Sequence, residues 1–301
     1  MKKIAVIFGG NSSEREVSIH TGLSVIDAIK EDYNVESISI SDDYSTLNKK
    51  LFNIDVVFIA LHGGYGEDGR LQKYFEKHQI NYTGSNSMAS KVAMDKNKTK
   101  LIAKKNKIPV LKWGMLKDGN INDDILKELD FPLIIKPNDG GSTIGLNYCN
   151  SLDNFNKMVT RSFCESKVLM VEQYIKAREI SVPILDDQVL PIIEIHPNSF
   201  LYDYDSKYKD SGSNYTVPAK VKDSISRKIA NDALLIYKKI GCRHYARVDF
   251  LLLNNQYYLL EINTLPGLTA TSLLPKSAAN TGLSYRDLVK KIIELAILNK
   301  K

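Results

Sequence analysis

The alternation of apolar and polar positions divides the chain into short units from its start. Lys3 to Phe8 is a continuous apolar run closed by Gly9-Gly10, which predicts a buried strand and a turn. Ser13 and Glu16 then have the spacing of a capping box for a helix running to about Glu31. Val35 to Ile40 and Val56 to Leu61 are further strand patterns alternating with helical ones, so the first third predicts βαβ units on a parallel sheet. From about Met88 a long lysine-rich helical stretch leads to strands at Val110 to Leu116 and Phe131 to Lys136, the pattern of a second, smaller α+β unit. Val168 to Ile175 is another buried strand, and a strand pair turning at Asp186-Asp187 follows it. Residues 200–217 have no sustained period and are rich in tyrosine, serine and aspartate. Irregular chain of that length inside a compact unit is more often a functional lid than a linker. Val221 to Gly241 reads as an amphipathic helix stopped by glycine, and Tyr285 to Lys300 as the closing helix. The fold class is α/β.

Between those last two helices lies RVDFLLLNNQYYLLEIN, Arg247 to Asn263, two strand patterns around a turn at Asn254-Asn255. Arg247 and Asp249 share one face of the first strand, and Glu261 and Asn263 share one face of the second. For all four to converge, Asp249 must lie opposite Glu261, which an even-numbered turn forbids. The spacing therefore predicts either a three-residue connection through Gln256 with one asparagine left-handed, or a bulge that restores the phase. Converged, Asp249, Glu261 and Asn263 offer the oxygen atoms that a hard cation such as magnesium prefers, and the lack of thiols and imidazoles argues against zinc. An ordinary hairpin with polar ends is the other reading.

The remaining candidates each carry two readings. Glu14 and His62 fall at the carboxyl ends of predicted parallel strands, where ligands gather. Glu14 is also explained by the helix dipole, and His62 as a loop histidine whose glycine neighbours leave the backbone open. KPNDGGSTIGL, from Lys136 to Leu146, can turn successive N–H groups towards a phosphate or be a flexible connection. It does not have the GxxxxGK[ST] spacing, nor does Gly9-Gly10-Asn11-Ser12-Ser13 have that of GxGxxG. Glu172 near a strand end suits an adenine amino group or a protein surface. Ser272 at a helix entrance suits a carboxylate or a simple cap.

Composition narrows the class. With 301 residues, 43% hydrophobic and 25% charged, the chain has room for two or three globular domains. The excess of 41 basic over 35 acidic residues is mild and fits a small anionic ligand. Nucleic acid is not expected, because the densest basic run, Lys96 to Lys107, reads as a helix with a solvated face. Cys149, Cys164 and Cys242 form no CxxC and are odd in number, which fits a reducing compartment. The apolar start stops at Gly9, too soon for a signal peptide, and no later run reaches a membrane span, so a cytoplasmic protein with no membrane partner is expected.

Taken together, GGNSSEREVS, ALHGGYGEDG, YTGS, MDKNKTK, IIKPNDGGSTIG, YDYDSKY, RVDF and EINTLPGLT, in this order, resemble the D-alanine:D-alanine ligases of the ATP-grasp superfamily over nearly the whole chain. The resemblance implies a three-domain ATP-grasp fold. Residues 1–87 would form the N-terminal parallel-sheet domain, 88–175 the central domain and 176–301 the C-terminal catalytic domain with a lid loop at 200–217. ATP would lie between the last two. It further implies that Lys96 and Lys136 hold ATP phosphates under a loop containing Gly141, Ser142 and Thr143. Glu172, Gln173, Tyr174 and Ile175 would meet the adenine and Glu179 the ribose. Asp249, Glu261 and Asn263 would hold two magnesium or manganese ions. Glu14, with Ser142 and Tyr208, would bind the first D-alanine ammonium, and His62 would lie near its carboxylate. Arg247 and the Gly267 N–H would stabilise an oxyanion, while Ser272 and Leu273 receive the second D-alanine carboxylate and Lys207 and Tyr208 reach in from the lid. The implied reaction is ATP-dependent joining of two D-alanine molecules for peptidoglycan precursors, by a homodimer; another carboxylate-amine ligase with a different second substrate is the alternative. Thr271 stands where many relatives carry histidine and Gln173 where lysine is common. Lys207-Tyr208 is the pair seen in ligases using D-alanine at the second position.

Overall fold

A computed structural model of the protein describes residues 1–41, 47–117, 124–141, 145–197 and 213–298. Ser142, Thr143, Lys207 and Tyr208, and residues 200–212 of the expected lid, lie outside the described residues.

The apolar run at the amino end is a central strand because both its faces are covered. β1 (Lys3–Gly9) lies parallel between β2 (Asn34–Ile40) and β3 (Val56–Ile59), with Ile4, Ala5, Val6 and Ile7 wholly buried. The crossover helix α1 (Arg15–Ile29) starts later than the Ser13–Glu16 capping box predicts. Glu14 takes the cap position without a capping bond, because Ser12 orders the turn instead. The Ser12 hydroxyl accepts from the Glu14 N–H at 3.2 Å and donates to the His62 carbonyl at 2.6 Å. Three short helices follow along this domain, α2 (Leu47–Lys50), α3 (Gly64–Glu67) and α4 (Arg70–Lys77).

The lysine-rich stretch is two helices, α5 (Ser87–Met94) and α6 (Lys96–Lys105), broken at Asp95. Asp95 is extended, and its carboxylate accepts from the Lys98 N–H at 3.0 Å, restarting the helix. The expectation of a solvated basic face fails here: Lys96 is 9% exposed and Lys100 is 0% exposed. The second sheet runs β4-β7-β5-β6, all antiparallel, from β4 (Trp113–Lys117), β5 (Leu133–Pro137), β6 (Asn147–Cys149) and β7 (Val168–Gln173). Helices α7 (Asp124–Glu128) and α8 (Leu152–Phe163) pack on it.

The third sheet runs β11-β10-β8-β12-β13, with β9 (Gln188–Val189) on β8 (Arg178–Leu185) through the Asp186-Asp187 turn. β10 (Ile193–Pro197) and β11 (Ser213–Thr216) pair antiparallel, so the end of the stretch expected to be irregular is a strand. Helix α9 (Asp223–Ile240) covers this sheet and stops at Gly241, which is left-handed at φ +84°. After β12 (Tyr245–Leu253) and β13 (Gln256–Asn263) come α10 (Leu273–Ala279) and α11 (Tyr285–Leu298).

Each core draws helices from distant parts of the chain. The small-residue face of α5 and α6, with Ala89, Ala93 and Ala103, joins Ile229 and Ile236 in the core of the third sheet. The apolar face of α11, with Leu288, Ile292 and Ile293, closes the core of the first sheet. That helix packs on α1, α10 and β3.

The hairpin takes the second of its two expected forms. Only Asn254 and Asn255 connect the strands, with Asn254 left-handed at φ +56°, so the three-residue connection does not form. Leu253 pairs with Gln256 and Phe250 with Leu259, but Asp249 pairs with Glu261 and Arg247 with Asn263. Leu260 is the extra residue of a bulge, and it puts all four polar residues on one face.

Candidate active site

The carboxyl ends of β1 and β3, the start of α6, the Gly140-Gly141 loop and the open end of the β12–β13 hairpin meet around a cleft of about 650 Å³. Glu14, His62, Lys96, Gly141, Arg247, Glu261, Asn263, Gly267, Ser272 and Leu273 all line it. Residues far apart in sequence are thereby brought to one place by the two sheets whose strand ends face each other.

On the hairpin side, Asp249 lies just beneath the wall. Its carboxylate accepts from Arg247 Nε at 3.0 Å and Nη2 at 2.9 Å, and from Ser181 Oγ at 2.7 Å. Glu261 faces Lys96, whose Nζ is 4.0 Å from Oε2 and donates to the Gly140 carbonyl at 2.5 Å. Asn263 Oδ1 accepts from the Leu265 N–H at 2.9 Å, which orients the amide at the strand end. Among the described residues no three His, Cys, Asp or Glu side chains form a metal-holding group. The candidate set is two carboxylates and an amide, a donor set that fits a hard divalent cation only together with oxygens from a ligand.

On the first-sheet side, Glu14 and His62 are buried neighbours. Gly63 is required between them: its backbone sits at φ +69°, and a Cβ there would lie 2.7 Å from Glu14 Oε2. Gly141 approaches the same oxygen, with 3.7 Å to an ideal Cβ, so the glycine loop after β5 comes up to Glu14. His62 Nε2 is 3.0 Å from Thr21 Oγ1, and Nδ1 is 3.5 Å from Glu67 Oε1. Burial raises the Glu67 carboxyl above its ordinary pKa, the His62 hydrogen bond opposes the shift, and the Glu14 charge adds to it. Sequence reasoning passed over Glu67; the signal was its place at the end of GYGE, a single helical turn after His62 that folds back onto the imidazole.

At the far end, Ser272 caps α10 without a capping bond from its hydroxyl to that helix. Its Oγ instead accepts from the Thr269 N–H at 3.1 Å and lies 3.0 Å from where a Gly267 Cβ would be. Gly267, Ser272 and Leu273 therefore border the cleft together.

Lys136 on β5, Glu172 and Gln173 on β7, Tyr174 and Ile175 in the connection after it, and Glu179 on β8 lie off the wall of this cleft. Lys136 Nζ is 2.7 Å from Glu172 Oε2, and Lys100 Nζ is 2.5 Å from Glu172 Oε1. Burial alone would raise the Glu172 pKa, but the two lysines outweigh it and hold the carboxyl below its ordinary range. Lys100 is the second residue missed in the sequence. Its signal was the four-residue spacing from Lys96, which puts both on one face of α6.

Residues 102–294 match the family described as D-ala D-ala ligase C-terminus, and residues 3–51 and 44–85 match D-ala D-ala ligase N-terminus. A D-alanine--D-alanine ligase of Carboxydothermus hydrogenoformans is 41% identical over 98% of this chain and 98% of its own length. Among solved structures, a Bacillus anthracis D-alanine--D-alanine ligase complexed with ATP superposes with TM-score 0.89 at 36% identity, covering 99% of this chain and 98% of that one. The VanG D-Ala:D-Ser ligase of Enterococcus faecalis gives 0.84 at 28% identity, covering 98% and 99%. With a cleft built from both ends of the sequence, and matches that span both of its halves, the chain belongs to the D-alanine–D-alanine ligase family.

Proposed function

We propose that this protein is an ATP-dependent ligase joining two D-alanine molecules into D-alanyl-D-alanine for peptidoglycan precursors. The observation that carries the reading is the bulge at Leu260, which sets Asp249 opposite Glu261 and Arg247 opposite Asn263 beside Lys96. A carboxylate oxygen of the first D-alanine attacks the γ-phosphorus of ATP, ADP leaves, and a D-alanyl phosphate forms. The amine of the second D-alanine then attacks the carbonyl carbon, and phosphate leaves as the peptide bond closes.

The residues divide this work by their chemistry. Glu14, buried at the base of the cleft, receives the first substrate's ammonium, and His62 lies by its carboxylate. Lys96 and Lys136, with the loop from Gly141 through Ser142 and Thr143, hold the phosphates. Glu172 to Ile175 frame the adenine and Glu179 the ribose. Arg247 and the Gly267 N–H donate to the tetrahedral oxyanion. Ser272 and Leu273 receive the second carboxylate, and Lys207 and Tyr208 complete the site from the lid. Asp249, Glu261 and Asn263 would hold two magnesium or manganese ions, which when bound offset the charge of the transferred phosphoryl group.

A homodimer in the cytoplasm is part of the same proposal. The three cysteines are free, which is the usual state in a reducing compartment. No helix of the described residues is long and apolar enough to cross a membrane. Mass spectrometry of the products from D-alanine, ATP and magnesium, with and without D-serine, tests the reading. D-alanyl-D-alanine is expected in both mixtures; its absence, or a mixed dipeptide as the main product when both amino acids are supplied, overturns it.

A further inference from the structure

Lys100 has no part in the chemistry above, yet it is the most completely buried charge near it. Its ammonium is 2.5 Å from Glu172 Oε1, donates to the Leu259 carbonyl at 3.2 Å and lies 5.9 Å from the Trp113 ring centroid. Those three partners belong to different strands: Trp113 on β4, Glu172 on β7 and Leu259 on β13. Leu259 is also the last residue in register before the bulge that sets Asp249 against Glu261. A buried lysine is costly unless it is paired, so a site that keeps one uses the charge.

The use follows from counting charges. Glu172 is shared by two lysines, one on each oxygen. Were Lys136 its only partner, moving Lys136 to a phosphate would leave a buried carboxylate alone, and nucleotide binding would have to overcome that cost. With Lys100 fixed on the other oxygen, Lys136 can leave while Glu172 keeps a counter-charge. We infer that Lys100 is a positioning residue of the nucleotide site: it holds the Glu172 carboxylate as an acceptor for the exocyclic amino group of adenine and frees Lys136 for phosphate. This rests on the nucleotide reading proposed above. A carboxylate fixed there faces an amino donor in adenine but a carbonyl oxygen in hypoxanthine, so the base at the nucleotide reports directly on it.

The test is calorimetric titration of the full chain with ADP and with IDP in the presence of magnesium, for the wild type, Lys100→Met and Lys100→Gln. The wild type should prefer ADP by about tenfold or more, the size of one mismatched buried polar contact. Lys100→Met should bind ADP about tenfold more weakly, with the preference narrowed to about twofold. Lys100→Gln keeps a donor without the charge and should fall between; it serves as the measured variant if Met does not fold. KM for D-alanine should not change in either. A merely structural lysine would lower thermal stability and leave the base preference intact, so wild-type ADP affinity and preference in a folded variant overturn the inference. So does a wild type without preference for ADP, whereas a wild type that binds neither nucleotide overturns the nucleotide reading itself.

Discussion

The third sheet meets its two neighbours in different ways. Towards the second sheet the seam is charged: Lys96, Lys100 and Lys136 stand against Glu172 and Glu261, with α6 carrying two of the lysines between the sheets. Towards the first sheet, behind the cleft, the seam is held by partners internal to the fold, among them the Lys291–Asp186 ion pair at 2.9 Å. The Gly84 N–H donates to His244 Nδ1 at 3.1 Å, Arg243 Nε donates to the Gly84 carbonyl at 3.0 Å, and Leu185, Tyr245 and Leu265 join the core of the first sheet. Lys96 of the first seam borders the cleft, where an incoming anion can take the place of its present partners. The difference teaches where ligand exchange and where fixed geometry should be sought: changes at the first seam should act on turnover and binding, and changes at the second on stability alone.

The largest effect is expected from Glu261→Gln. The side chain is a quarter exposed at the cleft and its ion pair to Lys96 is long at 4.0 Å, so the fold should lose little. Turnover should fall by about a thousandfold or more, because the change removes one of the two negative charges, and a ligating oxygen, that the divalent cations would need. Phosphate release under saturating D-alanine, ATP and magnesium measures it. A near-normal rate would remove the hairpin from the chemistry and with it the contrast between the seams.

How much of this could be read from the sequence differs between the two seams for the same physical reason. The hairpin was legible because two-residue periodicity fixes which side chains share a face. The requirement that Asp249 oppose Glu261 then demanded either an odd connection or a bulge, and the bulge is what occurs. The lysines of α6 were not legible, because four-residue spacing names a helix face without saying what docks on it. Burial of Lys100 is decided by Glu172 on another strand and by a backbone carbonyl of β13. Likewise α5, α6 and α11 pack on sheets outside their own stretch of chain, a matter of tertiary docking. The Ser13–Glu16 capping box was the reverse case, a sound local signal overridden by a distant carbonyl, that of His62, which engages Ser12.

A smaller effect, confined to stability, is expected at the second seam from Ile292→Ala. Ile292 is wholly buried where α11 closes the first sheet, and truncation there leaves a cavity. Unfolding in urea should show a loss of about 3 kcal/mol. ADP affinity and the KM for D-alanine should stay at wild-type values. A raised KM would mean that the second seam also moves in the catalytic cycle.

The smallest effect, and the sharpest on the second seam, is acid sensitivity at His244. Burial, reinforced by the Arg243 charge and only partly opposed by Asp186, holds its imidazole down to about 3, against an ordinary value of 6.5. Because Nδ1 accepts the Gly84 N–H, the neutral ring carries its proton on Nε2, and a second proton would convert the acceptor into a donor facing a donor. The unfolded chain binds that proton below pH 6.5 while the folded one resists it, so stability is complete above 6.5 and declines as the pH falls towards 3. Between pH 6.5 and about pH 5 the decline should be about 2 kcal/mol. His244 is left-handed at φ +63°, a conformation that asparagine tolerates, so His244→Asn removes the titrating group with little backbone strain. Urea midpoints at the two pH values should converge between wild type and variant as acid is added. Parallel behaviour would show that the ring takes its proton without leaving Gly84, and that the second seam is held by its apolar contacts rather than by this hydrogen bond.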